Sequence, residues 1–127
     1  MKSGLTVLFL LLACSLFAQN QFDERLLAKF NKEQITTLNT SNPEVIAYWT
    51  YFLDHAYSIE DVPAGKDVST LPEVKIKNTA KLNILELDVH MNRVAPMYYR
   101  IKGSNQLLVM MSNEEFSEKF NVHRGLR

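Results

Sequence analysis

Residues 43–57, PEVIAYWTYFLDHAY, constrain this chain more than any other stretch, because their apolar side chains share a face only on a helix. At about 100° per residue, Val45, Ile46, Trp49, Phe52, Leu53 and Ala56 fall in one broad arc. Asn42 stands at the N-cap position, Pro43 suits the first helical position, and Glu44 lies at the positive end of the helix dipole. The arc holds the single tryptophan of the chain, so the rest of the fold must supply the surface that covers it.

The N-terminus is read as a secretory signal covering residues 1–18, followed by one small domain over residues 19–127. Lys2 supplies a positive start, Leu5 to Phe17 is a nearly unbroken apolar run, and Ala18 offers a small residue at the cut. The run is shorter than the roughly 18–20 residues a membrane span needs. Two other readings compete. Leu11-Leu12-Ala13-Cys14 resembles a lipobox, which would leave a lipid anchor at Cys14, and an uncleaved segment would itself be an anchor. Cleavage after Ala18 removes Cys14, the only cysteine, so the domain is expected to hold together without a disulfide. The remaining chain carries one acidic residue in excess. Near-neutral charge argues against nucleic acid or an anionic membrane surface as partner, since both select a concentrated positive face.

Phe22 to Leu38 reads as a first helical segment, with Leu26, Leu27, Phe30 and Leu38 on one side and a break expected at Asn31-Lys32. Asn39 to Asn42 is a short connection, so an αα-hairpin with the helix from Pro43 is predicted. Beyond it the periodicity changes. Tyr57 to Val62 suits a short edge strand. Val74 and Ile76 alternate with Glu73, Lys75 and Lys77, a strand whose lysines would guard an edge. Lys81 to Met91 is predicted as a further strand, with Leu85, Leu87, Val89 and Met91 on the core face and Leu82, Ile84, Glu86, Asp88 and His90 opposite. Met97 to Lys102, Gly103-Ser104-Asn105 and Gln106 to Met111 form the clearest hairpin, its second strand apolar on both faces and therefore central. Ser112 begins a last helix, with Glu115 completing a capping box and Phe116 and Phe120 apolar; Val122 to Arg127 reads as a frayed tail. The sum is an α+β domain: an N-terminal αα-hairpin, a 3-4-stranded antiparallel sheet and a short C-terminal helix, the helices on one face of the sheet.

No phosphate-cradling glycine loop, nucleophile elbow or metal-ligand spacing of histidines is present in the sequence, so no enzyme and no cofactor is predicted. Four side-chain sets remain. Glu44, Tyr48, Tyr51 and His55 recur at i, i+4, i+7 and i+11, a stripe on which rings with polar tips suit a peptide or sugar. The bland reading makes Tyr48 the rim of the core. Glu86, Asp88 and His90 alternate on one strand face and supply the donor types for a divalent cation, although i and i+2 side chains stand roughly 7 Å apart. Tyr98, Arg100 and Lys102, with Arg93 upstream, make a basic strip that suits an acidic partner or is solvated surface. Met91, Met97, Met110 and Met111 read as core filling.

The signal ending in Phe17-Ala18-Gln19, the helical pair and the hairpin YYRIKGSNQLLVMMS together resemble small exported proteins of unknown function from Gram-negative bacteria. The resemblance implies a compartment and a general shape, and carries no functional residue. The expected function is that of a periplasmic or secreted, non-enzymatic domain that binds a protein or peptide of the cell envelope. Its contact would be the Tyr48/Tyr51/His55 flank or the edge strand Val74 to Lys77. The alternatives are a small-ligand or metal-binding protein using Glu86, Asp88 and His90, and an inhibitor of an envelope enzyme.

Overall fold

The structure, a computed structural model, describes residues 22–126. The apolar N-terminal run, Ala18 and Cys14 lie outside the described residues. The described residues form three helices and a four-stranded mixed sheet, so the α+β expectation holds. The helices are α1 (Lys32–Ser41), α2 (Pro43–His55) and α3 (Asn113–His123); the strands are β1 (Tyr57–Asp61), β2 (Glu73–Val74), β3 (Met97–Ile101) and β4 (Gln106–Met110). No helix among the described residues is long and apolar enough to cross a membrane.

The N-terminal helical segment is divided where the sequence breaks it. A 3-10 turn over Glu24–Ala28 buries Leu26, and α1 restarts at Lys32. Asn31 accepts a hydrogen bond from the Gln34 N–H at 2.8 Å, while the Gln34 side chain accepts from the Asn31 N–H at 2.9 Å. This reciprocal capping box stops any continuous helix through Asn31. Within α1 the Thr36 and Ser41 hydroxyls donate to carbonyls four residues earlier, which keeps a Thr-rich helix satisfied. The helix runs to Ser41, further than expected, so Asn42 alone separates it from α2. Asn42 does occupy the N-cap of α2, but its side chain caps nothing; Pro43 at the helix start lowers the number of N–H groups in need of a partner. Phe52, Leu53 and Ala56 from the predicted arc are buried, with Val45, Ile46 and Trp49 half-buried beside them.

The strand order is β1-β4-β3-β2. The β3–β4 hairpin is antiparallel with Tyr99 opposite Leu108, and β1 runs antiparallel to β4 with Ile59 opposite Leu108. Gly103 closes the hairpin turn at φ +76°, a value other residues rarely adopt. The β4 strand is central, as its two apolar faces require. The wholly antiparallel sheet is corrected by β2, which lies parallel to β3 with Glu73 opposite Arg100 and Val74 opposite Ile101. A parallel pair needs a long crossover connection over one face of the sheet. Residues 75–96 are that crossover, which explains the second correction. Lys81 to Met91 is no strand but an irregular run with 3-10 turns at Thr79–Lys81 and Ile84–Glu86. Leu82 and Ile84, assigned to the outward face, are buried, while Leu85, Leu87, Val89 and Met91 are half-buried.

One core joins the helices, the crossover and one sheet face: Leu26, Ile35, Phe52 and Leu53 meet Ile84, Tyr99, Ile101, Leu108, Met110 and Phe116. The expectation of helices on a single face therefore holds. The opposite sheet face carries Ser58, Val109 and Tyr98 in one register row and Glu60, Leu107, Arg100 and Glu73 in the next. At the C-terminus, α3 is closed at both ends. The Asn113 and Glu114 N–H groups donate to the Asn92 and Arg93 carbonyls, and Glu115 N–H donates to Ser112 Oγ at 3.2 Å. The predicted capping box is only half formed, because the Glu115 carboxylate pairs instead with Lys119 at 2.9 Å. The predicted frayed tail is also corrected. Helix α3 continues to His123, Gly125 takes φ +74°, and Leu126 N–H donates to the Asn121 carbonyl while Gly125 N–H donates to that of Val122. These are the two hydrogen bonds of a Schellman closure.

Candidate functional site

The stripe on α2 becomes a seam because α3 lies along it. Tyr48 meets Phe116 and Phe120 edge-on, at centroid distances of 5.2 and 5.4 Å. Burial pushes its hydroxyl above the ordinary phenol pKa. Tyr48 is thus core rim. One turn on, Tyr51 rests one side of its ring on Phe116 and Phe120, both at 5.6 Å. Two imidazoles also stand against it, His55 stacked at 4.2 Å and His123 tilted at 4.6 Å. Glu44, at the far end of the stripe, pairs with Arg124. The structure therefore brings Tyr48, Tyr51 and His55 into one cluster and spends Glu44 on holding the end of α3.

The cluster opens on a depression of about 550 Å³ lined by Tyr51, Glu115, Glu118, Lys119, Val122 and His123. Glu115 is neutralised by Lys119, whereas Glu118 makes no ion pair among the described residues. An aromatic wall beside an uncompensated carboxylate is chemistry for a cationic side chain, which gains from the ring face and from the charge together. His123, Arg124 and Glu118 are absent from the sequence-based site. A signal for His123 was there, since Phe116, Phe120 and His123 recur at i, i+4 and i+7 as the α2 stripe does.

The other candidate residues are placed as follows. Asp88 and His90 do approach, with His90 Nε2 3.5 Å from Asp88 Oδ1, but both side chains are largely or fully exposed. Glu86 sits in the 3-10 turn instead of two residues along a strand. Among the described residues no three His, Cys, Asp or Glu side chains are grouped to hold a metal ion. What His90 does firmly is donate its backbone N–H to the Tyr99 hydroxyl at 2.8 Å, which ties the crossover to the sheet. Tyr98 and Arg100 share the outward sheet face, but Arg100 pairs with Glu73 at 3.4 Å and Arg93 with Glu114 at 3.3 Å. The basic strip is thus largely neutralised. The edge at Val74 to Lys77 keeps only Glu73–Val74 as strand, with Val74 buried and Lys75 and Lys77 exposed.

A third cluster lies near the N-terminal turn. Arg25 bridges Asp23, at 2.7 Å, and Asp54 of α2, at 2.8 Å. The hydrogen bonds from Arg25 hold the Asp23 carboxyl below the usual carboxylate range, and those to Asp23 and Asp54 raise the guanidinium further. This bridge is a clamp between the 3-10 turn and α2. No protein family, curated protein or solved structure matches this chain.

Proposed function

We propose that this chain is an exported, non-enzymatic domain that captures a protein or peptide of the cell envelope on the face shared by α2 and α3. The observation that carries the reading is the setting of Tyr51. Its ring is flanked by His55 and His123, backed by Phe116 and Phe120, and opens onto the depression beside Glu118. Rings fixed by the core give contact area at little entropic cost, and the Glu118 carboxylate, unpaired among the described residues, gives selectivity for a lysine or arginine of the partner. Export is supported by Lys2, the apolar run Leu5 to Phe17 and the small residue Ala18.

A photo-crosslinking residue placed at position 118 in cells tests the reading. Capture of one defined envelope protein, lost when His55 and His123 are both changed to Ala, is the expected result. Tyr51 is left intact in that variant because it packs on Phe116 and Phe120, and its removal would confuse binding with folding. Adducts that persist unchanged in the double variant would refute this face as the contact.

A further inference from the structure

Trp49 lies on another side of α2 from Tyr51 and borders a second cleft, between that helix and the crossover. Phe52, Ile84 and Met110 form its buried floor, at 9%, 2% and 1% exposure. Trp49, Leu85, Leu87, Val89 and Met91 form walls that remain half-exposed. The one charged residue that lines it is Lys29, whose Nζ sits 4.1 Å from the centre of the Trp49 ring. Lys29 makes no ion pair among the described residues. The lip therefore holds an ammonium against an indole face, with no carboxylate paired to it among the described residues.

We propose that this cleft binds a short-chain fatty acid as its anion, the tail on Phe52, Ile84 and Met110 and the carboxylate on Lys29. The charge selects the class. A cation would meet Lys29 unfavourably, and a dianion would leave a second charge against apolar walls. The size selects the chain. The cleft measures about 190 Å³, which is room for about six water-sized groups at about 30 Å³ each, so hexanoate fits better than a long acyl chain. The crossover is tied at Asn83, whose side chain donates to the Arg25 carbonyl at 3.1 Å, and at His90 by the Tyr99 hydroxyl, while Leu85 to Val89 between them pair with no strand.

The test is calorimetric titration of the full chain with sodium hexanoate, followed in parallel by the fluorescence of Trp49, the only tryptophan. Hexylamine serves as the oppositely charged probe of equal length. The expected result is saturable hexanoate binding at least tenfold tighter than that of hexylamine. Lys29→Ala should remove most of that preference, and Val89→Phe, which fills the cleft from a half-exposed wall, should weaken binding tenfold or more. No saturable hexanoate binding, equal affinity for the two probes, or hexanoate affinity unchanged in both variants would overturn the proposal. Far-ultraviolet circular dichroism of each variant confirms that the fold is retained.

Discussion

Replacing Phe116 with Ala tests whether α3 is part of the core or an ornament on it. Phe116 is 0% exposed and its ring meets Tyr48 at 5.2 Å, Phe52 at 5.4 Å, Tyr51 at 5.6 Å and Phe120 at 6.4 Å. Truncation removes the transfer free energy of the whole ring and leaves a cavity walled by four rings pinned to two helices, which collapse poorly. The expected cost is about 3–5 kcal/mol. A domain of this size has about 5–15 kcal/mol in total, so the loss is a large share of it. At about 4 °C or more per kcal/mol the melting temperature falls by at least about 12 °C. Phe116→Leu keeps most of the volume and loses the edge-to-face contacts, and should cost about 1.5 kcal/mol. Urea unfolding followed by Trp49 fluorescence reads both, because Trp49 stands 5.1 Å from Phe52. The denaturant slope should stay constant while the midpoint moves. An Ala variant within about 1 kcal/mol of the parent would refute the packing of α3 on α2, and with it the Tyr51 site.

Two further outcomes follow from the clamps. Asp23→Asn removes a carboxylate that Arg25 holds ionised. A lowered folded pKa means that its stabilisation is present above the unfolded value of about 3.9 and is lost as pH falls through the folded one. Urea midpoints across that acid window should thus fall more steeply in the parent than in the variant, by a difference of about 1 kcal/mol or less because the pair is partly solvated. Gly125→Ala meets nothing within 4 Å, so its cost is the positive φ of +74° alone, about 1 kcal/mol. Its readout is faster amide exchange at Leu126, whose N–H closes α3, and unchanged exchange there would sink the Schellman assignment.

What was legible in the sequence is what short-range chemistry decides. Pro43, the arc through Ala56 and the Gly103 turn each determine their element from within a few residues, and α2 and the β3–β4 hairpin fall where they point. Ser112 likewise starts α3. The α2 stripe is legible as a stripe, but its meaning depends on where α3 ends. Gly125 is the signal there, since a glycine just past a helix is its usual stop; it keeps His123 and Arg124 ordered against Tyr51 and Glu44. Glu115 is ambiguous for the opposite reason. The spacing from Ser112 allows a capping box, yet Lys119 at i+4 offers the same carboxylate an ion pair. The parallel pairing of β2 had no local signal at all, because Glu73–Val74 is fixed by which edge of the sheet is free.

The failed strand at 81–91 also accounts for the apolar cleft. Alternation of apolar and polar residues predicts an extended chain only where a neighbouring ladder holds every second side chain to one face. With β2 parallel to β3, the chain must cross the sheet between them, and a crossing segment has no ladder. Its 3-10 turn repeats every three residues, which turns Ile84 and Leu87 to the same side. Leu82 and Ile84 then enter the core, while their supposed opposites stay half-buried against it. More apolar side chains face inward than a single strand could seat, and they border Trp49 and Phe52 of α2 as well as Met110 of β4. A half-covered gap beside Trp49 is the geometric consequence. In this fold, the place where period-two reasoning fails is therefore the place where a cleft forms.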